Sequence, residues 1–414
     1  MKRTPAILAA AAVLFSSGCQ NEVFYNIRQD VAPEEATISG QINSIARYST
    51  DRAEYIVLAA NGGLRYKTTA AENESHGKWE SYGYENLPFD EHKYNYYDAE
   101  NHTGQQILKV LADSGTLYLV SAEYTKDTEE GTSAPSQINL YAKKIQDDGN
   151  GKWNSAESGD LKGWTQLAKE LNADNSLFKF GKNSSGYYVS DFNVFSTNSV
   201  KSENRKAYIR SGSGDSAKYY RLDGISEPEE FSPSAADSGS GSLNSAVIFK
   251  GEEIFFASLA AVTNETSSSD ATAVYYGNGD KLKYSTDGTT FTDAGFGTGQ
   301  TITCLAPCAD SILIGRGDYY AQSSSASGGI ARTTLDSSGI PDSSLKNFET
   351  NAESQLSSSY FIFTLLNTDP SRNEKDSAIY ASIGFIGSGS SSAVTFGNMG
   401  LWSYYSSRGN WNRE

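Results

Sequence analysis

The sequence predicts an all-β protein, a β-propeller of about six four-stranded blades (seven being the alternative count) that follows a cleaved N-terminal signal. Three observations carry this expectation. Composition is that of sheet rather than helix, with 26 Tyr, 18 Phe and 38 Gly against 2 Met. Short apolar runs recur in a constant order, in units of about 50 to 65 residues. No helix-period stretch separates one unit from the next, as a ring of packed sheets requires.

Each unit reads as two apolar strands, a loop, a third strand that often carries Tyr, then an aromatic after a Gly or Asp turn. Ile107-Leu108-Lys109-Val110, Leu117-Tyr118-Leu119-Val120, Ile138-Asn139-Leu140-Tyr141 and Gly151-Lys152-Trp153 form one copy. Ala246-Val247-Ile248-Phe249, Ile254-Phe255-Phe256-Ala257, Lys281-Leu282-Lys283-Tyr284 and Thr290-Phe291 form another. Further copies span Ile302 to Phe348 and Tyr360 to Trp411, and weaker ones 38–86 and 177–231. A lone four-stranded sheet cannot bury both faces, whereas a ring buries both and hides the edges. Two β-sandwiches or a β-solenoid are the competing arrangements. In the ring, the closing blade should borrow a strand from the other terminus, and Trp79, Trp153, Phe291 and Trp411 should occupy equivalent outer-strand positions.

The chain opens with Lys2 and Arg3, an apolar run from Ala6 to Phe15, and Ser16-Ser17-Gly18 before Cys19. This is the pattern of a lipoprotein signal, with Cys19 lipidated and palmitate-type acyl chains holding the mature N-terminus in a leaflet. With Ser16 where most bacterial lipoboxes carry Leu, the N-terminus resembles the relaxed lipoboxes of spirochaetal lipoproteins. The expected organisation is a signal peptide over 1–18, a lipidated tether over 19–36 and one propeller domain over 37–414. The implied address is the bacterial cell envelope, with the outer membrane or cell surface favoured.

Formal charge is -16, and loss of Lys2 and Arg3 makes the mature chain two charges more negative. Such a body repels polyanions, so nucleic acid is excluded as a partner. Beyond Cys19 the chain holds Cys304 and Cys308, which form either one local disulfide or two buried thiols. Two sulfurs without a nearby His cannot complete a zinc shell, so no metal is expected there.

Ser285-Thr286-Asp287-Gly288-Thr289-Thr290-Phe291 resembles the Asp-box turn of sialidase-type propellers, with one residue missing between the Gly and the Thr. In that family the turn is structural, so Ser285, Asp287 and Phe291 speak for fold. Catalytic chemistry finds little support. The three histidines, His76, His92 and His102, accompany no nucleophile pattern. A sialidase-like site would need converging arginines, and Arg47, Arg65, Arg210, Arg221, Arg316 and Arg332 occupy dissimilar blade positions. Asp147-Asp148-Gly149-Asn150-Gly151 and Gly277-Asn278-Gly279-Asp280 offer oxygens but read as hairpin turns rather than calcium loops. No catalytic residue, metal or cofactor is expected.

Long Ser/Thr-rich gaps (125–136, 262–272, 322–328 and 387–394) should emerge on one face of the disc, beside the Tyr-rich connection 90–101 with Tyr94, Tyr96 and Tyr97. Tyr with Ser and Gly is the composition of a protein-binding surface. The chain therefore reads as a non-enzymatic binding protein with a protein ligand. In anchor and size it resembles spirochaetal adhesin lipoproteins, which bind host matrix proteins such as fibronectin. A glycan-acting sialidase-like enzyme or an outer-membrane assembly scaffold are the alternatives. Arg316-Gly317-Asp318 is also the integrin-recognition tripeptide, although the following Tyr319-Tyr320 could equally continue a strand.

Overall fold

The computed structural model describes residues 38, 42–60, 63–69, 78–88, 103–126, 133–155, 157–171, 180–182, 188–190, 192–196, 205–212, 218–231, 246–248, 254–256, 262–264, 273–286, 290–317, 328–348, 360–373, 378–385, 400–405 and 410–414. The chain divides into two compact units, Met1–Thr37 and Ile38–Glu414. Cys19 and the rest of the first unit lie outside the described residues, as do His76, His92, His102, Tyr94, Tyr96, Tyr97, Asp287 and Asp318.

The second unit is built from antiparallel strands; its described helical element is a single 3-10 turn, Tyr84–Asn86. Sheet 1 comprises β1 (Ile42–Ser49), β2 (Glu54–Ala60), β3 (Gly63–Thr68) and β4 (Glu80–Tyr82). Sheet 2 comprises β5 (Thr103–Ala112), β6 (Leu117–Lys126), β7 (Ser133–Lys143) and β8 (Thr165–Leu171). A hairpin, β9 (Phe180–Lys182) with β10 (Tyr188–Ser190), precedes sheet 3: β11 (Phe192–Ser196), β12 (Ala207–Ser211), β13 (Lys218–Leu222) and β14 (Glu229–Phe231). A second hairpin, β15 (Ala246–Ile248) with β16 (Ile254–Phe256), precedes sheet 4: β17 (Val262–Asn264), β18 (Ala273–Asn278), β19 (Lys281–Ser285) and β20 (Thr292–Gly297). Sheet 5 holds β21 (Ile302–Pro307), β22 (Ser311–Gly317), β23 (Gly328–Thr334) and β24 (Lys346–Asn347). Sheet 6 holds β25 (Tyr360–Asn367), β26 (Ile379–Phe385), β27 (Gly400–Tyr405) and β28 (Asn410–Arg413).

Middle strands are continuous apolar runs because both of their faces are covered. In β2, Tyr55, Val57 and Ala59 pack toward sheet 2, while Ile56, Leu58 and Ala60 pack toward sheet 6. In β6, Leu117 and Leu119 face sheet 1, and Tyr118, Val120 and Ala122 face sheet 3. In β22, Leu313 faces sheet 6, and Ile312 and Ile314 face sheet 4. Tyr380 of β26 turns from sheet 5 to sheet 1, so the last sheet returns to the first. First strands approach one another in the same order: β1 and β5, β5 and β11, β17 and β21, β21 and β25, β25 and β1. Sheets packed face to face, with first strands side by side from sheet 4 through sheets 5, 6, 1 and 2 to sheet 3, are the architecture of a β-propeller body.

Four first strands carry a β-bulge just after an isoleucine: Ile42/Ser44, Ile107/Lys109, Ile302/Cys304 and Ile362/Thr364. The bulge re-aims the next side chain toward the adjoining first strand. Ser44 Oγ donates to Val110 O at 2.8 Å and accepts from Val110 N at 3.1 Å, and Thr303 Oγ1 donates to Ile362 O. Neighbouring sheets are thereby stitched along the inner ring.

Closure departs from the expected strand exchange. Among the described residues the strands of sheets 1 and 6 each come from one contiguous stretch of chain. The two ends meet instead through Ile38 N donating to Glu414 O at 3.1 Å and through the Glu414 side chain. Lys67 Nζ lies 2.8 Å from Glu414 Oε2, above the rings of Trp79, Tyr380 and Tyr405 at 5.2, 5.5 and 5.7 Å. Trp79 Nε1 donates to the same carboxylate oxygen at 2.8 Å, and Ser403 Oγ donates to the other oxygen. Burial pushes the Glu414 pKa up, but Lys67 and these donors outweigh it and hold the carboxyl below its usual value.

Two strand assignments change. Residues 246–256 form their own hairpin, and sheet 4 starts at Val262, so the Ser/Thr-rich gap there separates first and second strands. The outer aromatic of sheet 2 is Trp164, immediately before β8, in the position Trp79 has before β4 and Phe291 before β20. Trp153 instead bridges Asp147 in the preceding loop and stacks on Tyr66, 4.1 Å between centroids.

Candidate functional site

Among the described residues sheet 2 is longer than its two neighbours: its first three strands have 10, 10 and 11 residues, against 8, 7 and 6 in sheet 1 and 5, 5 and 5 in sheet 3. The bulge isoleucines set a common level. β1 and β21 begin at that residue, whereas β5 begins four residues earlier, at Thr103, paired with Thr125. Four strand residues make a lip about 13 Å tall.

At the base of this lip the inter-sheet face turns polar. Alternation along β6 and β7 puts Glu123, Gln137 and Asn139 on the side of Leu119 and Tyr141, turned toward sheet 1. Asn139 Nδ2 donates to Glu123 Oε1 at 3.2 Å, and Gln137 Nε2 lies 3.4 Å from the same oxygen. Gln137 Nε2 also donates to Asn139 Oδ1, which accepts from Gln166 Nε2 at 3.0 Å. Asn139 is fully buried, Glu123 and Gln137 are half-buried, and Gln166 is exposed. Burial, and secondarily the Glu123 charge, raise Tyr141 to about 12, so its hydroxyl stays protonated.

In sequence, the Tyr-rich connection 90–101 precedes β5 and residues 127–132 fall between β6 and β7. Both segments lie outside the described residues. Three of the four Ser/Thr-rich gaps do join second to third strands.

Of the six arginines considered from sequence, Arg47 meets a second one that sequence reasoning missed. Arg47 Nε lies 2.6 Å and Arg205 Nη2 2.5 Å from Glu54 Oε1, and Arg205 Nη1 donates to Ser49 Oγ at 3.0 Å. Their side chains are 3% and 1% exposed. Arg205 lies just before β12, so it ties sheet 3 to the β1–β2 hairpin rather than facing a substrate. A buried Arg before a strand of unrelated pattern leaves no periodic signal.

Arg316 and Gly317 are the last two residues of β22, while Asp318, Tyr319 and Tyr320 lie outside the described residues. Arg316 Nε donates to Gly328 O at 3.2 Å and Nη1 to Thr298 O at 3.0 Å. A Cβ on Gly317 would stand 2.5 Å from the Phe361 ring, so glycine here serves the approach of sheet 6.

The disulfide alternative for Cys304 and Cys308 is corrected: both are free and buried. They lie four residues apart along the extended β21 segment, about 13 Å, beyond the roughly 7 Å a bridge tolerates. Burial pushes both thiols up to about 12. Ser285 is buried at the end of β19 and Phe291 is half-buried before β20, while Asp287 lies outside the described residues. The two Asp/Asn-Gly segments are turns: Asp148 accepts from Asn150 N and Lys152 N, and Gly279 (φ 58°) helps join β18 to β19. Among the described residues no group of three or more His, Cys, Asp or Glu is placed to hold a metal, and no helix is long and apolar enough to cross a membrane.

No protein-family model matches the chain, and no curated protein matches it. Solved structures similar to it include the six-bladed β-propeller fungal lectin Aleuria aurantia lectin, at 11% identity over 92% of this chain and 96% of that one, TM-score 0.38. Others are an exo-1,5-α-L-arabinanase from a bovine ruminal metagenomic library (14% identity, 76% and 99% covered, TM-score 0.34) and the Dos1 propeller (12%, 89% and 82%, TM-score 0.34). Likeness of this size says nothing about ligand or reaction.

Proposed function

We propose that this chain is an envelope-anchored, non-enzymatic binding protein. A six-bladed propeller body, tethered through a lipid on Cys19, presents the lip of sheet 2 and the loops at that end to an external ligand. The single observation that carries this reading is the lip itself, a projecting sheet edge whose inner face bears an ordered carboxylate and carboxamide network, half of it within reach of solvent. Polar groups that are already oriented lose less entropy on meeting a ligand.

An enzyme acting on glycans is less well supported. Glycoside hydrolysis commonly uses two carboxylates flanking the bond, and the described network contains one. The convergent Arg47, Arg205 and Glu54 are engaged with one another, and both guanidiniums are buried.

Purified chain offered to immobilised matrix proteins and glycans, in parallel with chromogenic glycosides, tests the reading. Saturable retention without release of chromophore is expected. Turnover of a glycoside would replace binding by catalysis. For the anchor, Cys19→Ala should abolish acyl labelling and release the body from membranes; continued partitioning into detergent would refute it.

A further inference from the structure

We infer that Lys109 carries a carbonyl-reactive amine, placed on the first strand of sheet 2 to capture an aldehyde as a reversible imine. The site faces away from the lip network and does not depend on the binding reading above. Lys109 follows the β-bulge of β5, at the position Ser44 holds in β1 and Cys304 in β21. Those two side chains are short and bond the next first strand, Ser44 to Val110 O at 2.8 Å and Cys304 Sγ to Ile362 O at 3.9 Å. Lys109 pairs in register with Val120, which packs with Val194 of β11 and Ile209 of β12. Cross-strand partners share a face, so Lys109 is turned with Val120 toward sheet 3.

Buried lysines need a partner for their charge. Lys67 and Lys143 have one, Glu414 at 2.8 Å and the Lys162 carbonyl at 2.7 Å. Among the described residues Lys109 Nζ has no hydrogen bond, ion pair or ring contact. Strand β11 carries no ionisable residue, and Arg210 of β12 alternates away from Ile209. Glu123 of β6 is turned toward sheet 1, where Arg47 and Glu54 engage each other. Burial with no counter-charge lowers the Lys109 pKa and favours the neutral amine, whose lone pair is the nucleophile. An anion would need further donors, and the side chains on this face, Leu108, Val120 and Val194, supply none. An aldehyde brings no charge, and part of Lys109 remains exposed for it to reach. The Nζ lone pair adds to the carbonyl carbon; the oxygen then leaves as water with the two amine protons, and a C=N bond remains.

The test treats the full chain at pH 7 with limiting butanal and sodium cyanoborohydride, which traps imines as secondary amines, and ranks lysines by peptide mass mapping. Lys109 should be alkylated about tenfold faster than the exposed Lys152 and Lys281. The advantage should shrink at pH 10 and vanish in urea. Lys109→Met should remove the fast site and keep or raise the thermal midpoint, because no partner is stranded. Alkylation of Lys109 in the folded chain no faster than that of Lys152 and Lys281 overturns the inference, whether the amine is protonated or out of reach. A midpoint lowered by several degrees in Lys109→Met would reveal a partner holding Nζ, and overturns it too.

Discussion

Glu54 and Glu123 both anchor polar clusters between sheets, yet their surroundings differ in kind. Glu54 is met by two guanidiniums that are themselves buried, and the group joins sheets 1 and 3. Glu123 is met by carboxamides on its own sheet, with a gradient from buried Asn139 to exposed Gln166. Charge neutralised by charge in the interior fixes geometry, and removing one partner leaves the other desolvated. Glu123 is instead hydrogen-bonded to carboxamides of its own sheet, beside the exposed Gln166. The contrast teaches that polar burial alone does not mark a ligand site.

The largest expected effect is at the junction of sheets 6 and 1. Lys67→Met strands Glu414 among aromatics, and should cost about 3–5 kcal/mol of unfolding free energy in denaturant titration. A loss below about 1 kcal/mol would show that sheets 1 and 6 are held by apolar packing alone. Arg205→Met should cost somewhat less, about 2–3 kcal/mol, because Glu54 keeps Arg47 and is itself 27% exposed.

Closure should also be sensitive to acid. The Glu414 pKa is lower in the folded chain than unfolded, so its contribution is present above the unfolded value, roughly 4.3, and is lost as pH falls through the folded value. Urea midpoints measured from pH 6 downward should fall more steeply for wild type than for Lys67→Met. Equal slopes would remove Glu414 from the account.

A smaller effect concerns the thiols. Cys304 and Cys308, both raised to about 12 by burial, should resist iodoacetamide at pH 8 in the folded body and react fully in urea. Rapid labelling of either in native buffer would mean that sheets 5 and 6 open readily.

Much of the architecture was legible in the sequence for a simple reason. A middle strand buried on both faces must be apolar at every position, and runs such as Leu117 to Val120 announce that directly. Turn chemistry was equally plain at Asp148 and Gly279, where local geometry decides. Less legible was anything depending on distance along the chain. Arg205 reaches Glu54 across 151 residues, and Lys67 reaches Glu414 across 347. The run beginning at Ala246 misled because apolar strands of equal quality can pair as a private hairpin, as Ala246–Ile248 does with Ile254–Phe256, without joining the next sheet. The lip escaped notice because Gln105 and Gln137 precede the apolar runs that begin at Ile107 and Ile138, and a polar residue ahead of such a run reads as a strand end.

The contrast between the two glutamates is tested most directly by measuring thermal midpoint and ligand retention side by side for Glu54→Gln and Gln166→Ala. The account predicts that Glu54→Gln lowers the midpoint by several degrees and leaves the affinity of the folded protein unchanged, whereas Gln166→Ala keeps the midpoint and loses about tenfold in affinity. Unfolding at the same temperature for both variants, with ligand retention lost only in Glu54→Gln, would contradict it.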